Sequence, residues 1–172
     1  MRTLSRLHVV RVLALLAALL LTASACSPAE PDLPLGTAKA YPAGAGEVAL
    51  SVDDIRAATD EEVAEYGLRP PSDQSIWFVT YSISLVSGAP KDLDPSQVYP
   101  VTDDWTAETD RGGTVQQTQV MGAGFDCTAD QSATQGISAD APFVNCVMFQ
   151  TGPDAALESV TVGDHGTWTT KP

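Results

Sequence analysis

The stretch from Ser75 to Gly88, SIWFVTYSISLVSG, constrains this chain more than any other. Trp77, Val79, Tyr81, Ile83 and Leu85 fall at every second position, with Thr80, Ser82 and Ser84 between them. A period of two belongs to a strand, whose side chains alternate between faces, and an apolar face of that length has to be covered. It predicts the central strand of a β fold. EVALSVDD repeats the pattern with Val48, Leu50 and Val52. DWTAETDRGGTVQQTQVM reads as a hairpin turning at Asp110–Gly113, with Thr106, Glu108, Gln117 and Gln119 on a watered face. PFVNCVMFQTG reads as a buried strand, and LESVTVGD as another with Val160 and Val162 inward. Gly163 to Gly166 turns the chain and TWTT closes it. About seven short strands separated by turn residues predict an all-β sandwich over residues 47–172, with long irregular loops at 86–104 and 127–142.

One short helix interrupts the strands. Thr59 and Glu62 form a T-x-x-E capping box, Asp60 and Glu61 place negative charge in the first turn, and Gly67 can end it before Pro70 and Pro71. Capping accounts for these acids, so they carry no catalytic expectation.

Upstream, residues 1–25 read as a targeting segment. Arg2, Arg6 and Arg11 precede an uncharged apolar run, Val12 to Ala23. As a helix that run spans roughly 18 Å against ~30 Å of hydrocarbon, which argues for export and against a permanent span. Two cleavage readings compete at TASAC. Ala23-Ser24-Ala25 suits an ordinary secretory signal, releasing a soluble chain. The same segment resembles bacterial lipoprotein signals of high-GC Gram-positive type, with Ala23 where leucine is commonest and Cys26 as the obligatory cysteine. That resemblance implies a diacylglyceryl (palmitate-type) anchor on Cys26 and residence on the outer face of the cytoplasmic membrane. Two acyl chains suffice for stable anchoring where one does not.

Cleavage removes three of nine basic residues and no acidic one, leaving six basic against 22 acidic and a formal charge of −16. Phosphates and anionic headgroups repel such a surface, which argues against a nucleic-acid partner and leaves cationic partners or metal ions open. Residues 26–46, the anchored cysteine and SPAEPDLPLGTAKAYPAGAG, are rich in Pro, Gly and Ala and predict a disordered tether, at most ~60 Å long when extended. Pro28, Pro31 and Pro34 stand at P-x-x-P spacing, a recognition pattern weighed against the plainer role of spacer.

The three cysteines include an odd one, which the lipid explains. Cys127 and Cys146, in an exported chain, predict a structural disulfide closing a loop of about 20 residues, worth roughly 3 kcal/mol by the chain-entropy model. A metal site is poorly served by two cysteines and one remaining histidine, and a redox pair usually has C-x-x-C spacing.

The order of a long aromatic strand ending in Ser-Gly, a hairpin opening on Trp, and CVMFQTGPDAALESVTV with a late tryptophan resembles the immunoglobulin-like (telokin-like) domains of actinobacterial surface lipoproteins. The resemblance covers roughly residues 47–170 and implies a β-sandwich on a lipid tether, without a catalytic set. The antibody arrangement, with a tryptophan between two cysteines, is absent, since both cysteines follow Trp77 and Trp105.

Chemistry is sparse. His165, in the turn GDHGTW, lacks a nucleophile elbow that would tie it to Ser159 or Ser138. Asp53-Asp54 point to opposite faces of a strand unless a bulge intervenes, and Asp103-Asp104 is a second adjacent pair. Asp92 and Asp94 alternate with Ser96 as calcium ligands can, without the glycine and distal glutamate of an EF-hand. Tyr66, Tyr99 and Trp105 are candidates to line one edge as a binding surface. No cofactor is implied, and the oligomeric state is open. The expectation is a non-enzymatic binding module for a cell-envelope protein or ligand, and the alternative is an envelope hydrolase using a carboxylate pair.

Overall fold

A computed structural model describes residues 31–99, 104–118 and 137–171. The targeting segment, Cys26, Asp103 and Cys127 lie outside the described residues. The compact unit holding the described residues begins at Pro31.

The fold is all-β. Among the described residues, nine strands form one curled sheet in the order β1-β9-β8-β5-β6-β7-β4-β3-β2: β1 Leu33–Pro34, β2 Lys39–Ala43, β3 Gly46–Ala57, β4 Ser75–Ser87, β5 Trp105–Thr109, β6 Thr114–Thr118, β7 Phe143–Thr151, β8 Leu157–Val162 and β9 Gly166–Thr169. Strand β6 joins the two halves: Thr114–Gln116 pair with β5, whereas Gln117 and Thr118 pair with β7. One apolar cluster takes side chains from both halves, among them Val48, Leu50, Val52, Val79, Tyr81, Ile83 and Phe149 on one side and Trp105, Val160, Val162 and Trp168 on the other. The alternation that predicted β4 is borne out: its inward residues join this cluster, with Trp77 and Leu85 partly buried.

Four features differ from expectation. Nine strands stand where about seven short ones were expected, and β3 and β4 run to 12 and 13 residues. Besides the expected helix, α1 (Asp60–Glu65), the described residues include a 3-10 turn at Pro90–Asp92 and a second helix, α2 (Pro95–Val98). The tether read over 26–46 ends earlier. Leu33 pairs in parallel with Trp168, the chain turns at Gly36 (φ 79°), and Lys39–Ala43 pair with β3 at the opposite edge. Tyr41 and Ala43 are buried in the core, so this segment spans both halves of the sheet despite its Pro and Gly content. Finally, β4 is apolar on both faces at its start. Ile76 and Phe78 point outward with Met148 and are covered by Ala58, Val63, Tyr66 and Leu68.

That cover explains where α1 lies. The capping box forms as expected, with Thr59 accepting from the Glu62 amide and Glu62 accepting from the Thr59 amide. A six-residue helix is too short to persist alone. Packing of Val63 and Tyr66 on the outer face of β4 holds it in place. Among the described residues no helix is long and apolar enough to cross a membrane.

Candidate functional site

The outer face of β3, β4 and β7 carries the most developed surface feature. A register shift between Val52 and Asp54 makes Asp53 an extra residue in β3. The bulge restores phase so that Val52 and Ile55 both face the core, while Asp53 and Asp54 are both exposed. The bulge that exempts adjacent aspartates from pointing to opposite faces is thus present at this position. The Ser51 hydroxyl donates to Asp53 Oδ1 at 2.6 Å, and Arg56 Nε lies 3.8 Å from Asp54 Oδ2.

Arg56 continues this row. Its Nη1 and Nη2 donate to Glu62 Oε2 and Oε1 at 2.9 and 2.6 Å, a bidentate pair, and its guanidinium carbon sits 5.3 Å from the Phe78 ring centre. Tyr66 meets the same ring edge-on, with centroids 6.2 Å apart. The Arg56 bonds, then the Thr59 amide, hold the Glu62 carboxyl down at about 2. Beside this pair a groove of about 190 Å³ opens, lined by Arg56, Glu62, Phe78, Thr80, Val144 and Cys146, together with Tyr66 and Asn145. Val144, on β7, is 53% exposed, one of two large apolar side chains among the described residues that stand out in water; the other, Val86, lies on the same face of the sheet, on β4.

The three aromatics considered for one edge are separated by the sheet. Trp105 is 1% exposed and stacks at 4.9 Å on Tyr81, and Tyr99 is buried against Phe143. Both are core residues, because the inward face of the curled sheet is large enough to take them. Tyr66 alone reaches the outer face. Asp94 caps α2 by accepting from the amide and hydroxyl of Ser96, and Asp92 belongs to the 3-10 turn, its carbonyl accepting from Ala45. Among the described residues, no group of three His, Cys, Asp or Glu side chains is placed to hold a metal. His165 packs on Tyr41 with ring centroids 4.2 Å apart, while Ser159 is buried in β8 and Ser138 Oγ accepts from the Ala141 amide. Burial lowers the His165 pKa, against Asp104 and Asp164, which raise it. Cys146 lies on the outer face of β7, opposite Thr80.

No family model and no curated protein matches the chain. Among solved structures it is similar to a secreted protein of Mycobacterium tuberculosis, MPT63, at 16% identity and a TM-score of 0.49, over 83% of this chain and 99% of that one. A likeness that distant says nothing of activity or partner.

The sequence reading did not single out Arg56, Phe78, Thr80 or Val144. A signal was present: Ile76 and Phe78 break the polar phase of β4, and a strand apolar on both faces needs a second cover. Val63, Tyr66 and Leu68 supply that cover, and its rim leaves the groove.

Proposed function

We propose that this protein is a lipid-anchored extracytoplasmic binding module that works through the outer face of β3, β4 and β7. The groove beside Arg56 and Glu62, with Val144 exposed at its rim, is the observation that carries this reading. Exposed apolar side chains beside fixed polar groups are what a recognition surface offers, whereas the other candidate aromatics are spent on the core. The anchor belongs to the same proposal: Cys26 carries the lipid, the chain sits on the outer face of the cytoplasmic membrane, and Cys127 pairs with Cys146. This is the organisation of the actinobacterial surface lipoproteins with immunoglobulin-like domains that the sequence resembles. The partner is a cell-envelope protein or ligand.

Two variants separate anchor from binding. Cys26→Ser is expected to move the protein from the membrane fraction to the medium and to remove the acyl mass from the processed chain. Val144→Lys is expected to keep membrane residence and melting temperature while losing the partner. Membrane residence of Cys26→Ser, with no acyl adduct on the native chain, would refute the anchor.

A further inference from the structure

Resting on the reading of this face as the binding surface, we infer that its occupant is a basic peptide segment of a partner protein. An apolar side chain of that segment enters the groove, and a neighbouring lysine or arginine meets Asp53 and Asp54.

Charge complementarity points to this occupant. Among the described residues, Arg56 is the one basic side chain lining the groove, and Glu62 grips it through both oxygens. With Asp53 and Asp54 the group comprises three carboxylates and one guanidinium, a net charge of −2 at neutral pH. The Asp54–Arg56 contact is long, at 3.8 Å, and the Asp54 side chain is 54% exposed. Asp53 accepts a hydrogen bond from a neutral hydroxyl, that of Ser51. The bulge leaves both aspartates exposed, and Asp54 pairs across β3 and β4 with Thr80, which lines the groove.

The floor shows which cation chemistry it tolerates. Phe78 already carries a guanidinium over its ring while a carboxylate holds the other edge of that group. Aromatic faces and carboxylates together select guanidinium and ammonium groups over neutral ones. A volume of about 190 Å³ takes a side chain or two, not a folded element, so the apolar part of the partner is a short segment. The processed chain carries −16 overall, which adds attraction over distance for a basic partner and repels an acidic one.

The test uses the processed full-length chain in nonionic detergent and three blocked pentapeptides, LRVKL, LQVQL and LEVEL, titrated calorimetrically at low and high salt. LRVKL is expected to bind about tenfold tighter than LQVQL at ~50 mM salt, with most of that advantage gone at ~500 mM, and LEVEL is expected not to bind. The double variant D53N/D54N and the single variant V144K are each expected to weaken LRVKL at least about fivefold, while E108Q, a single charge loss away from the groove on β5, leaves it within about twofold. Equal binding of LQVQL and LRVKL, still abolished by V144K, overturns the cationic specificity and spares the groove as a binding site. Binding of every probe unaffected by V144K, or no binding of any probe, overturns both.

Discussion

The indole Nε1 of Trp168 donates to the carbonyl of Thr37 at 2.7 Å, linking positions 131 residues apart. The bond ties the last strand to the turn between β1 and β2. It makes the segment after Pro31 part of the folded unit, although its composition reads as a spacer. Trp168 is fully buried, so a partner for its N–H is required. Trp168→Phe keeps an aromatic ring in the core but removes the donor to the Thr37 carbonyl, and is expected to cost about 1–3 kcal/mol in denaturant unfolding. Deleting residues 31–43 removes Tyr41, Ala43 and both edge strands, and is expected to abolish cooperative unfolding. A chain lacking 31–43 that still melted cooperatively at the wild-type temperature would show that the segment is only a tether.

Much of the fold was legible because a strand with one covered face writes its period directly. Val48, Leu50, Val52 and the Trp77–Leu85 row all lie where alternation put them. The Asp110–Gly113 turn and the Thr59–Glu62 capping box are likewise local chemistry. Less legible was anything decided by distant contacts. Residues 33–43 look like linker because Pro, Gly and Ala interrupt any apolar period, yet Tyr41 and Ala43 offset the ordering cost by burial against β3 and α2. The groove depended on a bulge at Asp53 and on α1 folding back over β4, neither of which has a signature within its own few residues.

His165 sets a pH dependence near neutrality. Its ring rests on Tyr41, and burial lowers its folded pKa below 6.5; Lys39 adds to that, whereas Asp104 and Asp164 oppose it. The unfolded chain therefore takes up a proton first on acidification. Stability is full above about pH 6.5 and falls as pH drops from there through the folded value. Melting temperatures between pH 7.5 and 5 are expected to fall less steeply in His165→Gln than in wild type. An identical slope would place the effect elsewhere.

Glu62 gives a second, more acidic window. Its carboxyl, held at about 2 by Arg56 and then the Thr59 amide, favours the folded form above the usual 4.5, and that contribution is lost as pH falls through 2. In Arg56→Ala the Glu62 carboxyl is expected to rise from about 2 by NMR and to stay below 4.5, because the Thr59 amide still holds it. The amides of Val63 and Tyr66 are then expected to exchange several-fold faster, because the helix loses its link to β3. Thr59→Ala removes the cap and is expected to cost about 1 kcal/mol.

The proposed Cys127–Cys146 bond predicts that peptide mapping of the native chain recovers those two cysteines linked and Cys26 acylated. Cys146→Ser is expected to lower stability by roughly 3 kcal/mol by the loop-entropy argument. Thiol titration of the native, unfolded chain finding a free Cys127 would refute the pairing.

The account stands on the outer face of β3, β4 and β7 being the working surface, and site-specific photo-crosslinking in intact cells tests it most directly. A benzophenone side chain is placed at Val144 in one strain and at Glu108, exposed on β5, in another. A discrete adduct from position 144 and none from position 108 is the predicted result. An adduct from 108 with none from 144 would contradict it.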